Sequence, residues 1–194
     1  MLHVHSSRIT HLLAGLLLSV IGSAAPRSLS AQAPADTAAR RVAMQRLAFM
    51  LGDWSGDADV RNPDGSRLRL RQTEHVRSVV GGQVFTVQGV GRVLTDGVPG
   101  DTVFHAAATI EWHADSGYVM RSITLDGRHG VFHIEPATEG RGFDWGMAVP
   151  GGNVRYRMRL TAEGEWVESG EFMRAGAPPF RFIEMRVQRT EGRR

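Results

Sequence analysis

From Trp54 onward, apolar residues recur at every second position. Trp54, Gly56, Ala58 and Val60 fall on one face of an extended segment, and Ser55, Asp57, Asp59 and Arg61 fall on the other. This is the period of a strand with one side buried and one side wet. Asn62-Pro63-Asp64-Gly65 then turns the chain. The pattern restarts with Leu68, Leu70, Gln72, Glu74 and Val76 against Arg67, Arg69, Arg71, Thr73, His75 and Arg77, until Gly81-Gly82 breaks it. Val84 to Val93 follows, then Phe104, Ala106, Ala108, Ile110 and Trp112 opposite His105, Thr109, Glu111 and His113. Tyr118 to Leu125 and Arg128 to Glu135 flank Asp126-Gly127, a strong hairpin signal. Phe143 to Val149, Val154 to Leu160, Trp166 to Met173 and Phe180 to Arg189 complete a set of about ten strands.

Ahead of the strands, Ala35 to Met50 has the one helical pattern. Ala38, Ala39, Val42, Leu47 and Met50 form an uneven apolar stripe, and Asp36 and Thr37 stand where a helix is capped. Short loops, one-sided strands and no interrupting linker predict an all-β fold, an antiparallel up-and-down barrel with a short N-terminal helix. Closure is favoured because it satisfies both sheet edges at once.

The first 31 residues do not belong to that pattern. Arg8 precedes an apolar run from Leu12 to Gly22, too short to span a bilayer and suited to the core of an export signal, with cleavage expected after Ala31. The expected organisation is therefore a signal peptide over 1–31, a helical lead-in over 32–46, the barrel over 47–189 and a tail over 190–194. The chain has no cysteine, so no lipid-modified cysteine, disulfide or thiolate chemistry is available to it. These features predict a periplasmic or secreted protein with no membrane span after cleavage.

The sequence pI near 10.4 suggests a nucleic-acid partner. Loss of Arg8 and Arg27 with the signal, however, leaves 21 basic residues, all arginine, against 20 acidic ones. The two signs are interspersed, with no basic run interleaved with aromatics, so nucleic acid is not an expected partner.

A short helix leading into Gly52-Asp53-Trp54 resembles the lipocalin-like (calycin) barrels, in which such a tryptophan plugs the closed end and meets an arginine of the last strand. Arg186 or Arg189 would be that arginine. The ordered set Leu51-Gly52-Asp53-Trp54, Gln72-Thr73-Glu74-His75-Val76, Phe143-Asp144-Trp145-Gly146, Val149-Pro150-Gly151-Gly152, Gly170-Glu171-Phe172 and Phe182-Ile183-Glu184-Met185 is similar to an uncharacterised family of exported bacterial proteins, a domain of unknown function with a nitrobindin-like barrel. That resemblance implies fold and export and no activity. Nitrobindin-like barrels hold haem through a histidine of the final strand, and Phe180 to Val187 contains none. Glu184 or Phe182 stands roughly at the ligand's place, with Met185 beside them. The resemblance therefore disfavours haem and names no other cofactor.

Five histidines follow the signal: His75, His105, His113, His129 and His133. His129 and His133 share a strand face but lie about 13 Å apart, too far to chelate one ion, and no metal site is expected. Glu74 and Glu184 each interrupt an apolar face, and an interior carboxylate is costly unless partnered. With Gln72, Gln88 and Arg186 as partners and small Gly56 and Ala58 between them, they form either a polar patch in a cavity or an ion pair bracing the barrel end. Phe104, Trp112, Phe143, Trp145, Met147 and Tyr156 lie on apolar faces, as core or as the wall of a pocket.

The expected function is binding of a small, largely apolar ligand, with Trp54, Glu74, Trp145, Glu184 and Arg186 as site residues. One alternative is a barrel hydrolase or isomerase using interior glutamates as acid and base. Another is an envelope interaction module presenting the rows Arg67/Arg69/Arg71 and Arg155/Arg157/Arg159. The Gly-x-Ser-x-Gly, His-Glu-x-x-His and P-loop patterns are absent from the sequence.

Overall fold

The structure, a computed structural model, describes residues 34–190. The expected signal over 1–31 and all but the first residue of the expected tail lie outside them. The described chain forms one helix, α1 (Pro34–Gln45), two short 3-10 turns (Ala48–Met50 and Val80–Gly82) and ten strands. These are β1 (Gly52–Arg61), β2 (Arg67–Val79), β3 (Val84–Thr95), β4 (Val98–His113), β5 (Gly117–Thr124), β6 (His129–Pro136), β7 (Arg141–Val149), β8 (Gly152–Leu160), β9 (Trp166–Met173) and β10 (Phe180–Arg189). Each strand pairs antiparallel with its neighbours in sequence, and β10 returns to β1, closing the barrel. No described helix is long and apolar enough to cross a membrane.

Each strand predicted from alternation is present. The stretch from Leu94 to Val103, which the alternation leaves unassigned, forms the end of the β3–β4 hairpin. Asp96 and Gly97 both take positive φ there (53° and 79°), as a tight turn between right-twisted strands requires.

The helical lead-in differs from its expected form. α1 stops at Gln45, and the chain continues through i→i−3 bonds, Leu47 N–H to Met44 O and Met50 N–H to Leu47 O, both 3.0 Å. With three residues per turn, Met44, Leu47 and Met50 line up on one side, and all three are fully buried. Val42, placed on the stripe by a 3.6-residue period, is 72% exposed. Asp36, expected as a cap, lies inside the first helical turn, where its charge suits the helix dipole.

These residues seal one end of the barrel. Met44, Leu47, Met50, Trp54, Val76, Phe85, Ile110 and Val187 are buried together there. Tyr118 Oη–H ties the plug to β5 by donating to Ala43 O at 2.7 Å. Trp54 donates from its indole nitrogen to Met50 O at 2.8 Å, and the Trp166 ring meets it edge-on at 5.6 Å. Of the two candidate arginines, Arg189 closes the arrangement. Its guanidinium carbon lies 4.3 Å from the Trp54 ring centre, and its fork donates to Leu51 O and, at 2.8 Å, to Phe49 O. Arg186 points outward and pairs with Glu165.

The last strand corrects a second expectation. The pairing of β10 with β9 slips between Arg181 and Ile183, and this bulge reverses the alternation. Phe180 pairs with Phe172 on the inner face before the slip, whereas Ile183, Met185 and Val187 occupy that face after it. Glu184, which unbroken alternation from Phe180 would turn inward, is therefore outside. It is half-exposed and bonded to Arg181, and it lines a surface groove of about 590 Å³ with Asp59, Arg67 and Glu171.

Candidate functional site

Above the plug, the inner face of β2 carries Gln72 and Glu74 between Leu70 and Val76. Glu74 stands beside Trp54 of β1 and opposite Gly89 of β3. The glycine leaves room for the carboxyl: a Cβ there would lie 2.8 Å from both carboxyl oxygens of Glu74 and make the side chain shift. Gly91 makes the same allowance for the Gln72 amide oxygen, which a Cβ would approach to 2.8 Å. Gln72 Nε2–H donates to Glu74 Oε1 at 2.7 Å. It is the one hydrogen-bond partner of the Glu74 carboxyl among the described residues. Glu74 is 7% exposed. Burial pushes its carboxyl pKa up to about 8, against the pull of Gln72 and with a smaller push from Glu168.

Glu168 was missed by sequence reasoning, although it carries the same signal as Glu74. It interrupts the inner face of β9 between Trp166 and Gly170, where alternation calls for an apolar residue. Its register neighbours are Met185 on β10 and Met158 on β8. Trp166 Nε1–H donates to Oε2 at 3.1 Å. Burial raises its pKa, while the Trp166 and Trp145 indoles pull it down. Two carboxyl groups thus face the interior, each one inner-face step above the plug: Glu74 above Val76, and Glu168 above Trp166.

An aromatic wall continues upward from Glu168. Trp145 and Tyr156, paired across β7 and β8, stack at 4.1 Å with 6° between their planes. Phe132 tilts against Trp145 at 5.0 Å, and Phe182, the extra residue of the β10 bulge, meets Tyr156 edge-on at 5.6 Å. Burial, then the charge of Glu168, pushes the Tyr156 phenol up to about 12. Phe132, Trp145, Tyr156, Phe182 and Glu168 point inward yet stay only half-buried, unlike the plug residues. Higher still, Phe104 on the inner face of β4 is 39% exposed. The interior is packed at the closed end; above it the β1–β2 side stays buried through Ala58, Leu70 and Gln72, while the aromatic wall keeps accessible surface.

The structure thus brings Trp54, Glu74 and Trp145 to the interior, while Glu184 and Arg186 stand outside. Gln88 also faces outward, hydrogen-bonded to His105 at 3.0 Å. Gly56 leaves no gap between the acids, because a Cβ on it would lie 2.1 Å from Arg186 O. The five histidines are outside as well, His75 against Asp53 and His113 against Glu111. Met185 is the inward residue near the place of a last-strand haem ligand, and it is buried against Ala58 and Glu168. These residues do not fit haem held through histidine.

The outer arginine rows are largely neutralised. Arg69 and Arg71 meet Asp57, Arg155 and Arg157 meet Glu171, and Arg157 and Arg159 meet Asp144. No group of three or more metal-ligating side chains occurs among the described residues.

No family model and no curated protein matches the chain. Among solved structures, the crystal structure of Rv2717c from M. tuberculosis superposes with a TM-score of 0.60, covering 77% of this chain and 98% of that one. The two share a fold. At 15% identity, the likeness carries nothing about ligand or chemistry.

Proposed function

We propose that the chain is an exported, lipocalin-like carrier that holds a small, largely apolar molecule in its barrel, with Glu74 and Glu168 at the polar end. The observation that carries this reading is the contrast along the barrel axis. The plug is fully buried, whereas the inward Phe132, Trp145, Tyr156 and Phe182 keep accessible surface. A concave apolar wall with a few converging polar groups is the usual form of a small-molecule site. Export follows from the signal-like segment over 1–31, and membership of the exported barrel family belongs to the same proposal. Protein recovered from its host should begin at Gln32, as intact mass would show.

The direct test is native mass spectrometry and absorption of protein purified from its host, together with tryptophan fluorescence during a screen of small apolar compounds. A bound mass, or quenching that saturates, is the expected result. Protein that carries nothing and responds to no compound would remove the carrier reading.

One observation favours an acid–base enzyme as a second reading. A carboxyl group that titrates near 8 is protonated at neutral pH and is poised to give up a proton. That reading requires a turnover whose pH profile bends near 8 and which Glu74→Gln abolishes.

A further inference from the structure

Among the described residues, no basic side chain faces Glu74 or Glu168. The arginines at inner-face strand positions are Arg189, committed to Trp54 and two carbonyls of the plug, and Arg141, exposed at the closed-end rim. Glu74 is faced by Trp54 from β1, Gln72 along its own strand, Gly89 from β3 and the charge of Glu168 from β9. Glu168 is faced by Trp166, Met185, Met158, Trp145 and Tyr156. Arg128, the cation felt at Tyr156, is on the exposed β5–β6 turn and bonded to Asp126.

A second and independent feature is the wall. Stacked Trp145 and Tyr156, with Phe132 and Phe182, present ring faces and edges to accessible space next to Glu168. The Glu74 carboxyl, more than nine-tenths buried and bonded to the neutral Gln72 amide and to no cation among the described residues, belongs to the same interior. Buried carboxylates are retained where something pairs with them. Electron-rich rings attract organic cations through their faces. A neutral apolar ligand would use the wall and leave the acids without a counter-charge, and an anion would be repelled by them.

Resting on the carrier reading above, we infer that the barrel's ligand is a small organic cation, an alkyl- or arylammonium, whose charged head sits between Glu74 and Glu168 and whose apolar body lies along the Trp145–Tyr156 wall. Binding then draws the proton off Glu74, so affinity rises with pH while that group titrates.

The probe is benzyltrimethylammonium, whose charge is fixed at every pH, measured against its neutral isostere neopentylbenzene by tryptophan fluorescence on the intact mature protein. The cation should bind at least tenfold more tightly at pH 8. Its affinity should climb by up to tenfold per pH unit between 6 and 8, while that of the neutral compound stays flat. Glu168→Gln, which keeps the side chain's shape, should cost the cation tenfold or more and leave the neutral compound unchanged. Equal or tighter binding of neopentylbenzene would overturn the cation assignment and leave the carrier standing. A cation preference without pH dependence, or one untouched by Glu168→Gln, would overturn the placement of the charge between these acids. Binding of neither compound would overturn this inference, and the broader compound screen would then decide separately whether the carrier reading survives.

Discussion

A carboxyl group moved from its ordinary value of 4.5 to about 8 by burial makes stability depend on pH in a fixed direction. Below pH 4.5 Glu74 is protonated in both folded and unfolded chains, and its contribution is fully present. Between 4.5 and 8 the unfolded chain ionises and the folded one does not, so stability falls by about 1.4 kcal/mol per pH unit. Above 8 both states are ionised and the loss levels off. Glu168 is raised by the same cause and acts with the same sign. Glu74→Gln keeps an amide oxygen for Gln72 and removes the titration. The variant should gain about 2 kcal/mol or more at pH 8, gain little at pH 4.5, and show a flatter profile between, as urea unfolding at several pH values would reveal. An unchanged slope would mean that Glu74 is not the buried acid described here. The sequence shows Glu74 as an acid on an apolar face, and the same mark lies on Glu168 in Trp166-Val167-Glu168-Ser169-Gly170. Glu184 carries that mark falsely, because a single extra residue upstream turns it to the outside.

The strands are legible because a barrel wall has one dry side and one wet side, which imposes period two on every segment. Departures from regular geometry are not legible in this way, since a bulge or a 3-10 turn differs from its regular counterpart by a residue or less of phase. Both misplaced elements, the α1 extension and the outer half of β10, are failures of phase. Some glycines mark where elements approach most closely. A Cβ on Gly56 would stand 2.1 Å from Arg186 O and 2.8 Å from Val187 Cα, which is main chain and cannot swing aside. Gly56→Ala must therefore part β1 from β10, the pair that closes the barrel, at an expected cost of about 3 kcal/mol. Gly100→Ala is the control. Its Cβ would meet nothing closer than 3.6 Å, and thermal denaturation should place it within about 0.5 kcal/mol of the parent.

At the scale of the whole molecule, closure of the barrel depends on its packed end, where the chain before β1 meets the end of β10. The plug has to fasten the chain before the first strand to the end of the last one, and Arg189 does so by reaching Phe49 O, Leu51 O and the Trp54 ring at once. Two carbonyls and a ring face require a planar, multiply donating cation, so lysine is a poor substitute. Arg189→Ala should destabilise the protein by about 2 kcal/mol, and Arg189→Lys should recover less than half of that in chemical denaturation. Arg186→Ala, three positions away, loses only an exposed bond to Glu165 and should change stability by less than about 0.5 kcal/mol. Sequence alone leaves these two arginines as equals, because the choice depends on the register in which β10 meets β1, with Arg189 opposite Trp54 and Arg186 opposite Asp57. If Arg186→Ala proved the more damaging substitution, that register would be wrong by three residues, an odd number, so every inward residue of β10 would turn outward and Met185 would no longer stand beside Glu168.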